Sequence, residues 1–254
     1  MELKIKLFIL FLVTYISQVK TINLINSDSR YLLLLIFLFY LNLSEVEWFV
    51  HTYLMHAEND TFIDKLYKKF VNDDHKQHHR SINTDMTIIS ELQIDKGDDL
   101  IKNEHVLSFI IINLTIQIMF LHLFSVKYTK ENIYTLIILN TIFGFIFKYV
   151  WNIIHPSIHY EVSIPDVVRN TSLFKYMARK HTIHHLSKDP KKVNNNVAFP
   201  FVDYVLGTNK NCVGNLKYFQ EISDIVEKDE RLKKLKDMEI KNEPLPYDVA
   251  WETE

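Results

Sequence analysis

The stretch YLLLLIFLFYLNLSEVEWFVHTYLMH, residues 31–56, joins a long apolar run to two histidines. Leu, Ile and Phe dominate residues 31–50 without the two-residue alternation of a half-buried strand, which favours a helix. About 20 apolar residues in a helix can cross the roughly 30 Å hydrocarbon core of a bilayer. The stretch therefore predicts a membrane helix over residues 31–50, with His51 and His56 beyond its end.

Three more apolar stretches accompany it, at residues 7–19, 106–126 and 133–154. The first is short, but no small-residue cleavage site follows it, so we expect an uncleaved membrane helix that gains length from part of TINLI. Pro156 is expected to break or bend the fourth helix near its end. The chain has only four glycines and six prolines, which argues against a β-rich fold. These features predict four transmembrane helices.

The connections between the apolar stretches predict two helical hairpins. Residues 20–30 and 127–132 are short links, whereas residues 57–104 and 155–254 are long and charged. Two hairpins place both long segments and the N-terminus on the same side of the membrane. On that side there are 2 Lys and Arg residues before the first helix, 7 in residues 57–104 and 15 in residues 155–254. The two short links together contain 4. The positive-inside rule therefore places the long segments in the cytosol.

The predicted fold is an all-α membrane protein with a cytosolic helical cap. We expect one domain over residues 1–254, with a core of about residues 43–208 and a charged cytosolic tail at residues 209–254. Residues 61–70 predict a helix in the membrane interface, and residues 221–240 predict a solvated helix. The net charge of −2 gives no indication of a nucleic-acid partner.

Ten of the 12 histidines fall into four short groups, HTYLMH, HKQHH, HPSIH and HTIHH. In a helix, residues at i, i+3 and i+4 share a face. The second group offers such a triplet, and so does the fourth; the third offers an i, i+4 pair. The histidines concerned are His75, His78 and His79, then His181, His184 and His185, and finally His155 and His159.

The first group is different, because His51 and His56 are five residues apart. This spacing turns the side chains about 140° from each other on a regular helix. The two rings can serve one atom only if the end of the helix unwinds. Otherwise they serve two different atoms.

These ten imidazoles predict a metal centre, because neutral imidazole is the commonest metal ligand. Four to six ligands serve one ion, so ten donors suit two ions with four or five nitrogens each. The single cysteine excludes a CxxC site. Imidazole with few carboxylates suits Fe, Zn, Cu or Ni, and the sequence leaves this choice open.

Several other polar residues are candidates for supporting roles. A ligating histidine usually donates its second N–H to a nearby acceptor. The candidate partners are Glu47, Asp74, Asn152 and Asp203. His105 and His122 stand alone, and we interpret both as structural or interfacial. Lys148 in the fourth apolar stretch either extends to the interface or faces a polar cavity.

The four histidine groups, in this order between hydrophobic hairpins, resemble the histidine boxes of the fatty acid hydroxylase and sterol desaturase superfamily. The later NNNVAFPFVDYVLGT is similar to the Asn–Pro–Asp–Gly-Thr ending that follows the last box in that group. The resemblance covers about residues 43–208. The box spacings, and the 18 residues between His56 and His75, are most similar to those of sphingolipid fatty acid 2-hydroxylases.

The resemblance implies a membrane-bound di-iron oxygenase that hydroxylates a lipid acyl chain with O2. It implies that the ten histidines hold two iron ions, with zinc possible in the isolated protein. It also implies a separate electron donor such as cytochrome b5, and a location in the endoplasmic reticulum with the boxes facing the cytosol. No catalytic residue beyond the metal ligands is predicted.

Other functions stay open. A sterol desaturase or a sterol methyl oxidase of the same superfamily is the alternative within the resemblance. A non-catalytic metal-binding membrane protein is an alternative of another class. A metal transporter is a third, although its ligands are expected near the bilayer midplane.

Overall fold

The computed structural model of the chain describes residues 3–24, 30–56, 75, 78–79, 82, 86, 100–159, 162–187 and 190–210. Within these ranges the structure is helical and contains no β-strand, which confirms the all-α prediction for this part of the chain. The elements are α1 (Leu3–Leu24), α2 (Arg30–Phe49), a π-helical segment (Val50–Met55), α3 (Asn103–Leu123), α4 (Lys130–Ile158), α5 (Asp166–Arg169), α6 (Ser172–Leu186), a 3-10 turn (Pro190–Lys192) and α7 (Val202–Leu206).

Four of these helices are long and apolar enough to cross a membrane. They are α1, α2 with the π-helical segment, α3 and α4. Part of TINLI does extend α1, as the sequence predicted. Large apolar side chains such as Phe8, Leu33, Leu107 and Ile138 remain exposed on them. Apolar surface of this extent on a helix is what contact with lipid requires, so the chain is an integral membrane protein.

Pro156 does not end α4, which continues to Ile158. Of the two predicted effects of this proline, the break is therefore wrong, and the bend stays a prediction. A proline removes one backbone donor and clashes with the preceding turn. Here it lies in the last turn of the helix, where few hydrogen bonds follow. The Ser157 hydroxyl donates to the Ile153 carbonyl at 2.5 Å, which keeps a carbonyl of this turn hydrogen-bonded. His155 therefore remains on a helical turn.

The described residues form two compact units. The apolar unit consists of residues 3–24, 30–47 and 100–152. The histidine unit consists of residues 48–56, 75, 78–79, 82, 86, 153–159, 162–187 and 190–210.

In the apolar unit the helices pack through aromatic rings and one close approach. Tyr15 of α1 lies against Phe120 of α3, with ring centroids 5.9 Å apart. Phe39 of α2 lies against Phe143 of α4 at 5.2 Å. At Gly144 the backbone of α4 approaches α3 so closely that an added Cβ would lie 3.1 Å from Val106 Cγ1. Each of the four helices therefore contacts another within this unit.

The half-buried Lys148 of this unit donates from Nζ to Asn103 Oδ1 at 2.6 Å. Asn103 is the first residue of α3. The lysine therefore reaches the end of a helix. This favours the interpretation that its side chain extends to the membrane interface over the one that it faces a polar cavity.

In the histidine unit, α6 has a capped N-terminus and one buried face. The Thr171 hydroxyl caps its N-terminus by accepting from Phe174 N at 3.2 Å. Phe174, Ala178 and Ile183 bury its inner side. After α6 the chain folds back and forms α7. Helix α7 ends at Gly207, whose φ of 77° suits a residue without a Cβ. This return brings residues 193–196 beside the histidines of α6.

Two predicted helices, at residues 61–70 and 221–240, lie outside the described residues, as do residues 211–254 of the predicted tail. The single-domain organisation therefore stays a prediction.

Candidate metal centre

The ten histidines of the four sequence groups form two sets of five buried side chains in the histidine unit. Within each set, one ring nitrogen of every histidine lies within 4.8 Å of the others. Set A contains His51, His56, His75, His79 and His184. Set B contains His78, His155, His159, His181 and His185. The structure thus divides ten donors equally, as a pair of ion sites requires.

Each HxxHH motif supplies both sets. From the second group, His75 and His79 enter set A and His78 enters set B. From the fourth group, His181 and His185 enter set B and His184 enters set A. The i and i+4 rings therefore belong to one set and the i+3 ring belongs to the other, so each set is complete only with rings from both motifs.

The π-helical segment resolves the spacing of His51 and His56. Its backbone hydrogen bonds run from residue i+5 to residue i, and the His56 N–H donates to the His51 carbonyl at 3.2 Å. Residues five apart consequently lie on the same face. The two rings stack with centroids 5.1 Å apart and 21° between their planes. On a regular helix, His51 and His56 could serve one atom only if the end of the helix unwound. The π-helical segment is this unwound end.

The Nε2 atoms within each set face one another at close range. In set A, His75 Nε2 lies 3.1 Å from His51 Nε2, 3.2 Å from His56 Nε2 and 3.1 Å from His79 Nε2. In set B, the corresponding distances are 3.1 Å for His78–His159, 3.0 Å for His159–His181 and 2.9 Å for His181–His185. A neutral imidazole has one donor and one acceptor nitrogen. Hydrogen bonds alone therefore cannot serve five converging Nε2 atoms, whereas a central cation can.

Backbone carbonyls orient three of the rings. His51 Nδ1 lies 2.7 Å from the Asn195 carbonyl, and His184 Nδ1 lies 2.7 Å from the Val193 carbonyl. His159 Nδ1 lies 3.1 Å from the Met86 carbonyl. An Nδ1–H that donates to a carbonyl leaves Nε2 as the basic nitrogen. The lone pairs of these three rings therefore point towards the other members of their sets.

Burial favours the neutral form of several rings in the two sets. It lowers the pKa of four rings well below the ordinary 6.5, and nearby imidazoles lower it further; the rings are His78, His79, His181 and His185. For His159, burial lowers the pKa to about 3, although the carbonyl of Met86 acts in the opposite direction. Neutral imidazole is the form that binds metal.

Asp203 supports the site through the backbone rather than through a histidine ring. Its carboxylate accepts from Asn195 N at 3.0 Å and Asn196 N at 2.8 Å. It also accepts from Trp48 Nε1 at 3.0 Å and from the Thr208 hydroxyl at 2.6 Å. The buried carboxylate of Asp203 therefore holds the loop that contains Asn195, and the carbonyl of Asn195 orients His51. Burial raises the pKa of Asp203, and these hydrogen bonds oppose the rise.

The other predicted supporting residues are placed differently. Glu47 is buried in the apolar unit, and Asp74 lies outside the described residues. Asn152 also belongs to the apolar unit, where its side chain accepts from Ile101 N at 2.8 Å and donates to the Ile101 carbonyl at 3.0 Å. Its amide is therefore engaged with backbone rather than with a ring of either set.

His105 and His122 belong to neither set. His105 Nδ1 accepts from Lys102 N at 3.2 Å at the start of α3, which is a capping role. His122 is exposed and lies 3.2 Å from the Tyr128 hydroxyl. Both placements agree with the structural interpretation of these residues.

Sequence reasoning missed the three carbonyls, because a carbonyl carries no side-chain signature. Asn194 gave a partial signal as part of NNN. It adopts a φ of 49°, which asparagine tolerates better than most residues. Its Oδ1 accepts from Lys210 N at 2.7 Å, and its Nδ2 donates to the Lys180 carbonyl at 3.2 Å. These bonds tie the returning chain to α6.

Comparison of this chain with protein-family models, with curated proteins and with solved structures finds no match.

Proposed function

We propose that this chain is a membrane-bound di-iron oxygenase that hydroxylates a lipid acyl chain with O2. The observation that carries the proposal is the pair of buried five-histidine sets. Ten buried imidazoles in a helical membrane protein match the donors that two transition-metal ions require. The resemblance of the four histidine boxes supplies the reaction class.

The ligand spacing supports iron over tetrahedral zinc. Two nitrogens about 2.1 Å from one ion are about 3.0 Å apart at a right angle and about 3.4 Å apart at the tetrahedral angle. The Nε2 separations of 2.9–3.2 Å agree with right angles. An octahedral ion with five nitrogen donors would keep one position for another ligand. Structural zinc sites have four ligands and no such position.

Two iron ions, when held by sets A and B, would supply the O2 activation that attack on an unactivated C–H bond requires. The reaction places one oxygen atom in the C–H bond and reduces the other to water. Two electrons and two protons are needed for this balance, so a separate donor such as cytochrome b5 belongs to the proposal. Sets A and B would provide imidazole nitrogen ligands, and backbone carbonyls orient three of the rings.

The proposed topology is two helical hairpins with the histidine boxes in the cytosol, in the endoplasmic reticulum membrane. Contacts between α3 and α4 support the second hairpin, because they occur in reverse order along the two helices. Gln117 pairs with Asn140, and Asn103 pairs with Lys148. The excess of Lys and Arg in the long segments supports the orientation.

The proposed substrate is a fatty acid or ceramide, hydroxylated next to its carbonyl as the box spacing suggests. A sterol desaturase or sterol methyl oxidase is the alternative in the same class. Lipid mass spectrometry on membranes with and without the chain, under ¹⁸O2, tests this. We expect a lipid that gains one labelled oxygen, and a product that lacks hydrogen without added oxygen would favour the desaturase.

The matched variants are His181→Ala, in set B, and His122→Ala, which alters an exposed histidine outside both sets. We expect the first to abolish the labelled product and the second to retain it. A chain that binds two metal ions but consumes no O2 with any lipid would instead be a non-catalytic metal-binding protein.

A further inference from the structure

Two rings of set A take their orientation from one short loop after α6. His184 Nδ1 lies 2.7 Å from the Val193 carbonyl, and His51 Nδ1 lies 2.7 Å from the Asn195 carbonyl. His184 belongs to α6 and His51 to the π-helical segment, and their ring centroids are 4.4 Å apart. Residues 193–195 therefore orient two donors of the same set.

Asn194 stands between the two residues that supply these carbonyls. Its φ of 49° lies in the left-handed region, which asparagine tolerates better than most residues. Such a conformation is costly for a residue with a Cβ and persists only where its surroundings hold it. Because the φ of Asn194 sets the angle between the peptide group of Val193 and the chain that follows, the two carbonyls keep their relative direction only while this conformation is held.

The buried side chain of Asn194 provides that support. Its Oδ1 accepts from Lys210 N at 2.7 Å, and its Nδ2 donates to the Lys180 carbonyl at 3.2 Å and to the Lys210 carbonyl at 3.1 Å. The Asn194 N–H donates to the Thr208 carbonyl at 3.0 Å. The two N–H donors and the oxygen of the amide are thus all engaged with backbone, either of α6 or of the chain after α7.

A ring of set B takes its acceptor from a different part of the chain. His159 Nδ1 lies 3.1 Å from the Met86 carbonyl, which precedes α3 in the sequence, whereas residues 193–195 follow α6. Ring orientation in the two sets therefore depends on separate backbone segments. A change confined to residues 193–195 acts on the acceptors of set A.

We propose that Asn194 is a positioning residue for set A, because its hydrogen bonds fix the carbonyls of Val193 and Asn195. When the amide is removed, the left-handed turn can relax and each Nδ1–H loses its acceptor. The Nε2 lone pairs of His51 and His184 are then no longer held towards the other rings. Loss of a group that orients a ligand typically weakens metal binding about 10–100-fold, and we expect this loss at set A alone. The inference rests on metal binding, which is part of the proposed function, and not on the oxygen chemistry.

Competition for ferrous iron tests this role. The purified full chain is loaded with Fe²⁺ in the absence of oxygen and titrated with bipyridine, whose coloured ferrous complex reports how tightly each ion is held. We expect Asn194→Ala to weaken the binding of one ion about 10–100-fold and to leave the other as tightly bound as in the unchanged chain. Weakening of both ions by the same factor, or of neither, overturns the proposal.

Histidine substitutions outside α6 identify the affected ion. In His155→Ala, which removes a donor of set B, the remaining ion is that of set A, and adding Asn194→Ala should weaken its binding. In His56→Ala, which removes a donor of set A, the remaining ion is that of set B, and adding Asn194→Ala should leave its affinity unchanged. The opposite pattern would assign Asn194 to set B and overturn the proposal.

Controls separate positioning from a general loss of stability. Phe174→Leu reduces a buried side chain of α6 and keeps Asn194, so it should lower the Tm of the metal-free chain without changing the ratio of the two affinities. Asn194→Gly adopts the left-handed backbone without strain but lacks the amide, so it should also weaken set A alone. Unchanged affinity in Asn194→Gly would mean that the backbone conformation suffices, and the role of the amide would be refuted. If Asn194→Ala fails to fold, Asn194→Gly in the two histidine variants decides the question.

The proposed function and this inference fail in different ways. A chain that binds two ions but forms no labelled lipid product contradicts the oxygenase, whereas a loss at set A alone in Asn194→Ala still supports the positioning role. A chain that forms the product and whose two affinities are unchanged by Asn194→Ala contradicts the positioning role alone.

Discussion

At the scale of single residues, the division of each HxxHH motif between two sets is the most informative feature. The sequence predicts that His181, His184 and His185 share a helix face, but not which of them share an ion. That choice depends on where the partner rings lie. It follows from contacts between segments far apart in the chain, which spacing within one motif does not encode.

The division gives a prediction for metal content. His181→Ala and His185→Ala both remove a set B donor, so each single variant and their double variant should lose about one ion per chain. His181→Ala combined with His184→Ala affects both sets and should lose about two. Plasma mass spectrometry of the purified variants measures this. Equal losses in the two double variants would contradict the assignment of the sets.

The lowered pKa values predict a pH dependence for the metal-free protein. Below pH 6.5 the unfolded chain binds protons on histidines that stay neutral when folded, so stability falls as the pH falls. For a ring such as His159, whose pKa is about 3, the loss is about 2 kcal/mol at pH 5. The Tm should therefore drop between pH 7 and pH 5, and bound metal should oppose the drop. An unchanged Tm would mean that the rings are protonated in the folded state.

At the scale of elements, the π-helical segment Val50–Met55 makes a five-residue spacing equivalent to an i, i+4 pair. The sequence predicted that the helix end had to unwind if both rings were to serve one atom. It could not predict that this occurs, because the widening depends on the contacts made by His51 and His56. The first histidine group thus presents its rings as the third group does on α4.

Length changes in this segment test the equivalence. Deleting Leu54 should convert the segment to α-helix with the rings four apart, and metal content should be retained. Inserting an alanine after Leu54 should turn the second ring away and lose about one ion per chain. The measurement is metal content beside far-UV circular dichroism. Loss of metal on deletion with an intact helical spectrum would contradict the interpretation.

The buried carboxylate of Asp203 belongs to the same scale, because it holds the loop between α6 and α7. Asp203→Asn replaces one acceptor oxygen by a donor that faces backbone N–H groups. We expect a loss of about 3 kcal/mol in unfolding free energy, with weaker metal binding in set A, which contains His51. Chemical denaturation with metal titration measures both effects. Asp166→Asn, at an exposed position, is the control.

At the scale of the whole molecule, composition predicted the four long helices well, because crossing a membrane demands length and apolarity that a sequence displays directly. The hairpins and the cytosolic orientation remain predictions. Composition also concealed the buried polar side chains of the apolar unit, since a few amide or carboxyl groups per helix scarcely change the mean hydropathy. The burial of Asn42 and Glu45 is visible only once the helices are packed together.

Cysteine labelling tests the orientation. In a variant whose Cys212 is replaced by serine, Val167→Cys lies at an exposed position of α5 and Lys127→Cys lies in the link between α3 and α4. With sealed microsomes, an impermeant maleimide should label the first without detergent and the second only after permeabilisation. The reverse pattern would place the histidine boxes in the lumen.

The shared histidine motif of α6 has a mechanical consequence. One short helix carries donors of both sets, so rotation of that helix by a few degrees would displace a ring of each set at once. The spacing of the rings that α6 contributes to the two sets is governed by the circumference of a helix rather than by loop lengths. If the two sets hold iron ions, as proposed, a change of oxidation state at one ion should therefore alter the magnetic coupling to the other, even when no ligand is exchanged.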